Sequence, residues 1–480
     1  MRSRHARNTS CDQLRRFGRC ARAGVVLGLL SCAGAAVAQP PPLPPPPVPP
    51  QNPITEPKRV LGKLLFWEEQ LSSDDTVACG TCHRPGRGGA DHRLAVHPGP
   101  DGQFQTPDDI FGSFGVVRRG PDGQPINDPI FGFNRQVTPR AAQNMLQGLW
   151  APSLFWDGRA GPAFINPQTG QVSIPQGGGL EAQSVAPILN TVEMAHDGRT
   201  WNDVIAKLQS VTPMALATNL PPDMAAALVA NPTYPQLFAA AFGNPAITAE
   251  RIAFALATYE RTLAPNQTPF DLGTLTPLQQ QGLNVFLAPQ SQCAACHTPP
   301  LLTGNGFRNI GLRPIAEDIG RQAVTGNPQD AGRFKVPGLR NVGLKRTFMH
   351  NGRKGSLEQV LDFYLGINGQ IQFPQNQDPL IPQIAIPPQA RPALIEFLRN
   401  GLTDPRVAAE TFPFDRPRLR SEQVGDIDGD GDVDQSDLGA LLAAFGSCEG
   451  DAAYDAQADF DQSGCVDQSD LGQLLSNFGA

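Results

Sequence analysis

A chain of 480 residues with 38 Lys and Arg against 45 Asp and Glu has a formal charge of −7, and its length predicts about three domains rather than a single core. The acidic balance and the lack of a basic patch exclude a nucleic-acid partner. Residues 423–480 hold thirteen of the acids and no Lys or Arg, so the negative charge belongs to the C-terminal end.

Residues 1–38 carry seven Arg, the apolar run Ala23 to Leu30, and then Ala36-Val37-Ala38 before Gln39. A basic start, a short apolar stretch and a small-x-small site are expected to be a cleaved secretory signal. Leu29-Leu30-Ser31-Cys32 also passes as a lipoprotein site, but the apolar run is too short to span a bilayer. The protein is therefore expected to be exported, to a periplasm, a cell surface or the medium, without spanning a membrane. Of the nine cysteines, three fall in this leader, four in two Cys-x-x-Cys-His motifs, and the last two are Cys448 and Cys465, which an oxidising compartment would pair. Residues 39–56 are read as a linker, because nine prolines in the eleven positions 40–50 favour an extended polyproline spacer.

From Pro57 to Thr411 helical periodicity alternates with loops rich in Gly and Pro, and no run shows β-alternation. Ile252, Leu256, Tyr259 and Leu263 share one helical face, as do Leu357, Val360, Leu361 and Tyr364. Cys79-Gly80-Thr81-Cys82-His83 and Cys293-Ala294-Ala295-Cys296-His297 each follow an apolar helical stretch, Val60 to Trp67 and Gly282 to Leu287. In such a motif two thiols add across the haem vinyl groups and the adjacent His becomes the proximal iron ligand. Neither copy has a second cysteine pair beside it to complete a zinc site. The expectation is a mainly α protein with two cytochrome c-like domains, residues 57–265 and 266–412, each carrying a covalent haem c ligated by His83 or His297.

Several blocks between Leu61 and Leu402 resemble the di-haem cytochrome c peroxidase and MauG family. They include LFWDGRA, LEAQSVAPILNTVEMA, ITAERIAFALATYERTLA, GRFKVPGLRNV and SLEQVLDFY, in the family order. The resemblance implies that hydrogen peroxide is activated at the N-terminal haem, while the C-terminal haem relays electrons from a small redox protein or other donor. Trp156 matches the tryptophan between the haems, although a large aromatic is also an ordinary core residue. Glu193 matches the distal acid, with Gln183 and Pro187 as its pocket companions. Breaking the O–O bond needs a proton moved between the oxygens, and a poorly solvated carboxyl can move it. Tyr364, fourteen residues past His350, falls where MauG-type members carry an axial tyrosine, and Met349 is the rival ligand by residue type. Ser356 with Gln359 is expected to form a capping box that starts the helix bearing Tyr364. The chain departs from the family twice. His92 and His97 sit nine and fourteen residues past His83, so no fixed sixth ligand is expected at the first haem. RAAQNM replaces RNAPT, which places the family's interdomain calcium in doubt.

In residues 420–480, Asp426, Asp428, Asp430, Asp432 and Asp437 surround a glycine turn, and Asp459, Asp461, Ser463 and Asp470 repeat the pattern. Alternating hard oxygens around glycine are what a calcium loop needs. Each loop precedes a short apolar helix without a full entering helix, so the segment resembles a dockerin-type module, which implies calcium and a cohesin-like receptor. The whole is read as a peroxidase; the alternatives are a MauG-like oxidase acting on a protein or small molecule, and a plain electron-carrier cytochrome.

Overall fold

A computed structural model describes residues 42–479 apart from 92, 94, 107, 423, 428–432, 449, 452, 456, 457, 461 and 462. The expected signal and its cleavage site, His92, and the loop acids Asp428, Asp430, Asp432 and Asp461 lie outside the described residues.

The helix Glu56–Phe66 begins with Pro57 in its first turn and buries Val60, Leu61, Leu64 and Leu65. It packs along Ala249–Arg261, whose N-cap Thr248 side chain accepts the amide of Arg251. Gly62 makes this contact possible, since a Cβ there would stand 1.9 Å from the Ala255 carbonyl oxygen. Around the pair, Trp67, Tyr234, Phe238, Ile252, Leu256 and Tyr259 form the first core, and the Trp67 indole donates to the Tyr259 hydroxyl at 3.2 Å. Leu263, expected on the same face, is buried just beyond the helix end.

The second core repeats the device. The helix Pro277–Leu287 packs on Arg391–Glu396, and a Cβ on Gly282 would meet the Ala393 carbonyl oxygen at 2.0 Å. Phe270, Phe286, Leu394 and Phe397 fill this core, together with Leu357 and Leu361 of the helix Leu357–Leu365. Beyond Leu402 the chain returns: Val407, Phe414 and Leu419 are buried in the first core.

Helix is the dominant regular structure, but among the described residues four two-stranded antiparallel pairs were not anticipated: Ala95–His97 with Ile110–Gly112, Phe114–Val117 with Arg135–Val137, Phe164–Ile165 with Val172–Ile174, and Phe307–Arg308 with Phe334–Lys335. Strands of two to four residues are too short to show alternation. The proline-rich stretch is not a free spacer along its described length, because the Trp150 indole donates to the Pro44 carbonyl and the Arg261 guanidinium to that of Pro47.

The C-terminal segment has its own small core of Val433, Leu441, Ala458, Val466 and Leu474. Its helices Gln435–Ala444 and Gln468–Asn477 start with matching capping boxes, Asp434 with Asp437 and Asp467 with Asp470. Cys448 and Cys465 are disulfide-bonded. Among the described residues no helix is long and apolar enough to cross a membrane.

Candidate active site

Each Cys-x-x-Cys sequence forms one helical turn, Cys79–Cys82 and Cys293–Cys296, which sets both thiols beside the histidine that ends it. The His83 Nδ1 lies 3.3 Å from the Gly89 carbonyl oxygen and the His297 Nδ1 3.2 Å from that of Leu302. A carbonyl can only accept, so Nδ1 carries the proton and Nε2 is left as the free ligand atom. Burial lowers both histidines, His297 to about 4, which keeps the imidazoles neutral as iron binding requires. All four thiols are free, and burial raises each of them.

A cavity of about 610 Å³ opens over the first motif. Its wall brings together Cys79, Cys82 and His83 with Trp156, Gln183 and Glu193, residues spread over more than a hundred positions of sequence. Pro187 lines it too. The volume falls in the range of cofactor sites, and the donor set is two thiols, one neutral imidazole with a free Nε2 and a largely apolar wall. These residues fit a covalent haem. Glu193 is raised above the ordinary carboxyl range by burial, with Arg159 opposing the shift. The Trp156 indole donates to the Ala141 carbonyl at 2.8 Å, and its ring lies 6.3 Å from that of His350, which stacks at 3.6 Å on Phe334.

At the second motif, Tyr364 lies close enough to Cys293 and Cys296 for their charges to raise it further above its burial-driven shift, and its hydroxyl makes no hydrogen bond to a described residue. The Ser356 side chain caps its helix by accepting the Gln359 amide, but the Gln359 side chain accepts from Gly355 rather than closing the expected box. Met349 occupies a turn with φ 69°. His97 is held in its strand, accepting from the Gly99 amide at 3.2 Å and lying edge-on to Phe131.

Two features of the cavity were missed in the sequence. Glu260, 6 % exposed and pushed up to about 8 by burial, also lines it. Arg140 bridges Asp157 at 2.6 Å and Asp318 at 2.7 Å beside Trp156. Glu260 follows the core residue Tyr259 and reads as a helix-surface acid, while the Arg140 bridge joins residues far apart in sequence, so neither left a local signal.

In the tail, Asp437 accepts the Ile427 amide at 2.6 Å and Asp470 the Phe460 amide at 2.7 Å. Asp459 accepts from Ser463, Gly464 and the Tyr454 hydroxyl, and Asp426 pairs with Arg418. Among the described residues no three metal-capable side chains converge.

Fold and site together define a c-type cytochrome architecture with two attachment motifs and an acid-bearing cavity over the first. Residues 56–274 match the family profile described as di-haem cytochrome c peroxidase. The chain is 30% identical over 371 residues to the methylamine utilization protein MauG of Methylorubrum extorquens, covering 75% of this chain and 82% of that one. It is 28% identical to the cytochrome c551 peroxidase of Nitrosomonas europaea, covering 70% and 79%. A crystal structure of a MauG-like protein associated with microbial copper homeostasis shares the fold, with a TM-score of 0.55 at 24% identity over 79% of this chain and 97% of that one. The chain belongs to the di-haem cytochrome c peroxidase and MauG family, whose relatives carry both names.

Proposed function

We propose that this chain is an exported di-haem oxidoreductase that reduces hydrogen peroxide at the His83 site with electrons entering through the His297 site from a small redox protein or comparable donor. The observation that carries the reading is the cavity that joins Glu193, Gln183 and Trp156 to the first attachment motif. The haems, when bound, supply redox-active iron at both histidines. Glu193 holds its proton to a higher pH than an exposed acid and can pass it between the two oxygens of peroxide. The Gln183 amide, on the same wall, orients the bound molecule. Trp156, fixed by its bond to Ala141, supplies an aromatic path out of the cavity.

The test is haem counting joined to turnover. The chain should carry two covalent haems, and Cys293→Ala with Cys296→Ala should leave one. That variant should still react once with peroxide yet fail to turn over with a reduced donor. Turnover at the wild-type rate would refute the electron route.

A second reading, an oxidase acting on a protein or small molecule, draws support from Tyr364, which lies close enough to Cys293 and Cys296 to feel their charges and whose hydroxyl has no hydrogen bond to a described residue. A plain electron carrier has no use for Glu193.

The tail is proposed as a dockerin-type calcium module for a cohesin-like receptor. Support comes from its duplicated capped helices and from exposed Leu442 and Phe445, repeated 33 residues on as Leu475 and Phe478. Calorimetry should find calcium binding to the full chain and none to a chain ending at Arg420, because the loop acids repel one another without a cation. Equal binding by both would remove the tail as the site.

A further inference from the structure

Past the second core the chain turns back through the short helix Pro405–Ala408, which packs on the turn Pro85–Arg87 just after His83. Glu410 follows it with φ 47°. A residue other than glycine is held in that left-handed region only where its surroundings fix it, and such strain gathers at functional sites. The Glu410 carboxylate accepts the Gly86 amide at 2.9 Å and stands 3.6 Å from the Arg84 guanidinium. Its other oxygen is held by Arg416, which also pairs with Glu422 at 2.6 Å, and Glu422 stands 3.7 Å from Arg84. These four side chains are between 10% and 20% exposed, so the network is shielded from the solvent screening that makes surface ion pairs weak.

The returning segment therefore grips the first attachment motif from two sides. Arg416 lies 5.6 Å from the Trp67 ring, and that ring abuts the attachment turn, since a Cβ on Gly80 would stand 2.2 Å from it. On the histidine side the grip reaches the ligand through the loop. Arg84 is bonded to His83, and its carbonyl accepts the Gly89 amide at 2.9 Å. The Gly89 carbonyl in turn accepts the Met145 amide at 2.9 Å and, at 3.3 Å, the His83 Nδ1 proton. That last bond is long for N–H···O, so a small displacement of the loop changes it. The Gln143 carbonyl faces the ring as well, so loss of the Gly89 contact weakens the Nδ1 bond without abolishing it. A proton shared from Nδ1 makes the imidazole more basic at Nε2, which strengthens its bond to iron and favours ferric over ferrous.

We infer that Glu410 is a positioning residue for His83: by holding the loop from Arg84 to Gly89, it sets how far the imidazole shares its proton with the Gly89 carbonyl and so how strongly His83 binds the haem iron. The inference rests on haem attachment at the first motif, and haem counting separates the two: a chain without a haem at Cys79 and Cys82 defeats that reading, while a loaded chain tests this one.

The experiment is resonance Raman spectroscopy of the ferrous, haem-loaded full chain, joined to potentiometric titration in the visible spectrum. Glu410→Ala should lower the iron–histidine stretching frequency of the His83 haem. It should also shift the reduction equilibrium of that haem about threefold toward ferrous, roughly 28 mV at 59 mV per tenfold for one electron. The His297 haem should move less. Glu410→Gln keeps an oxygen for the Gly86 amide and should restore most of both values, whereas an effect of charge alone would move the potential equally in the two variants. If Glu410→Ala fails to fold, Arg84→Met gives the reading: removing a cation favours ferric by charge alone, while a loosened loop still lowers the stretching frequency. An unchanged stretching frequency in the loaded variant, or a Glu410→Gln chain shifted as far as Glu410→Ala, overturns the assignment.

Discussion

Glu193→Gln slows the reaction of the ferric protein with peroxide by roughly a hundredfold or more, the usual loss for a removed proton-transfer group. Gln keeps the size and polarity of the side chain, so the cavity wall of Gln183, Pro187 and Trp156 stays as it is. What Gln cannot do is accept a proton from one oxygen and return it to the other. Burial already holds the Glu193 carboxyl above the ordinary range, so it keeps its proton to a higher pH than an exposed acid. Glu260→Gln is the necessary control, because that carboxyl lines the same cavity and is pushed up to about 8. Stopped-flow mixing with peroxide decides. A Glu193→Gln rate within threefold of wild type, or a larger loss in Glu260→Gln, moves the proton-carrying role away from Glu193.

Tyr364→Phe leaves the first encounter with peroxide intact and abolishes retention of the second oxidising equivalent at the His297 site. An anionic oxygen ligand favours ferric and higher-valent iron, whereas a thioether favours ferrous. The free tyrosine is raised above its ordinary range by burial and by the neighbouring thiols, so it gives up its proton only where the iron charge compensates. Removing the hydroxyl should therefore raise the midpoint potential of that haem and change its electron paramagnetic resonance spectrum, while Met349→Leu changes neither. If only the methionine substitution alters the His297 haem, the ligand is Met349 and the chain works as a reductively activated peroxidase.

The two attachment motifs were legible because covalent chemistry demands fixed residues at fixed spacing, and the helices before them because apolar periodicity survives in Val60 to Phe66 and in Leu283 to Phe286. The joining of Trp156, Gln183 and Glu193 to His83 was reachable through family resemblance alone. No periodicity links a residue in a loop at 156 to an acid at 193, and only the folded cavity does. The strand pairs escaped because their partners are held by tertiary position rather than by propensity. In the tail the duplicated Asp-Gly pattern could be read, while four of its proposed ligand positions lie outside the described residues.

The return of Val407, Phe414 and Leu419 to the first core has a bearing on how the protein is made. A chain synthesised from its N-terminus has the Cys79 motif hundreds of residues before the side chains that close the core around it. Until those arrive, the Glu56–Phe66 and Ala249–Arg261 helices can pair but cannot seal, and partly closed cores remain open to other proteins. The thiols of Cys79 and Cys82, buried in the finished fold, are thus reachable during that interval by whatever machinery attaches the porphyrin. The second core is complete at Leu402, so the Cys79 motif, first to emerge, is the one whose core waits for the last of these residues.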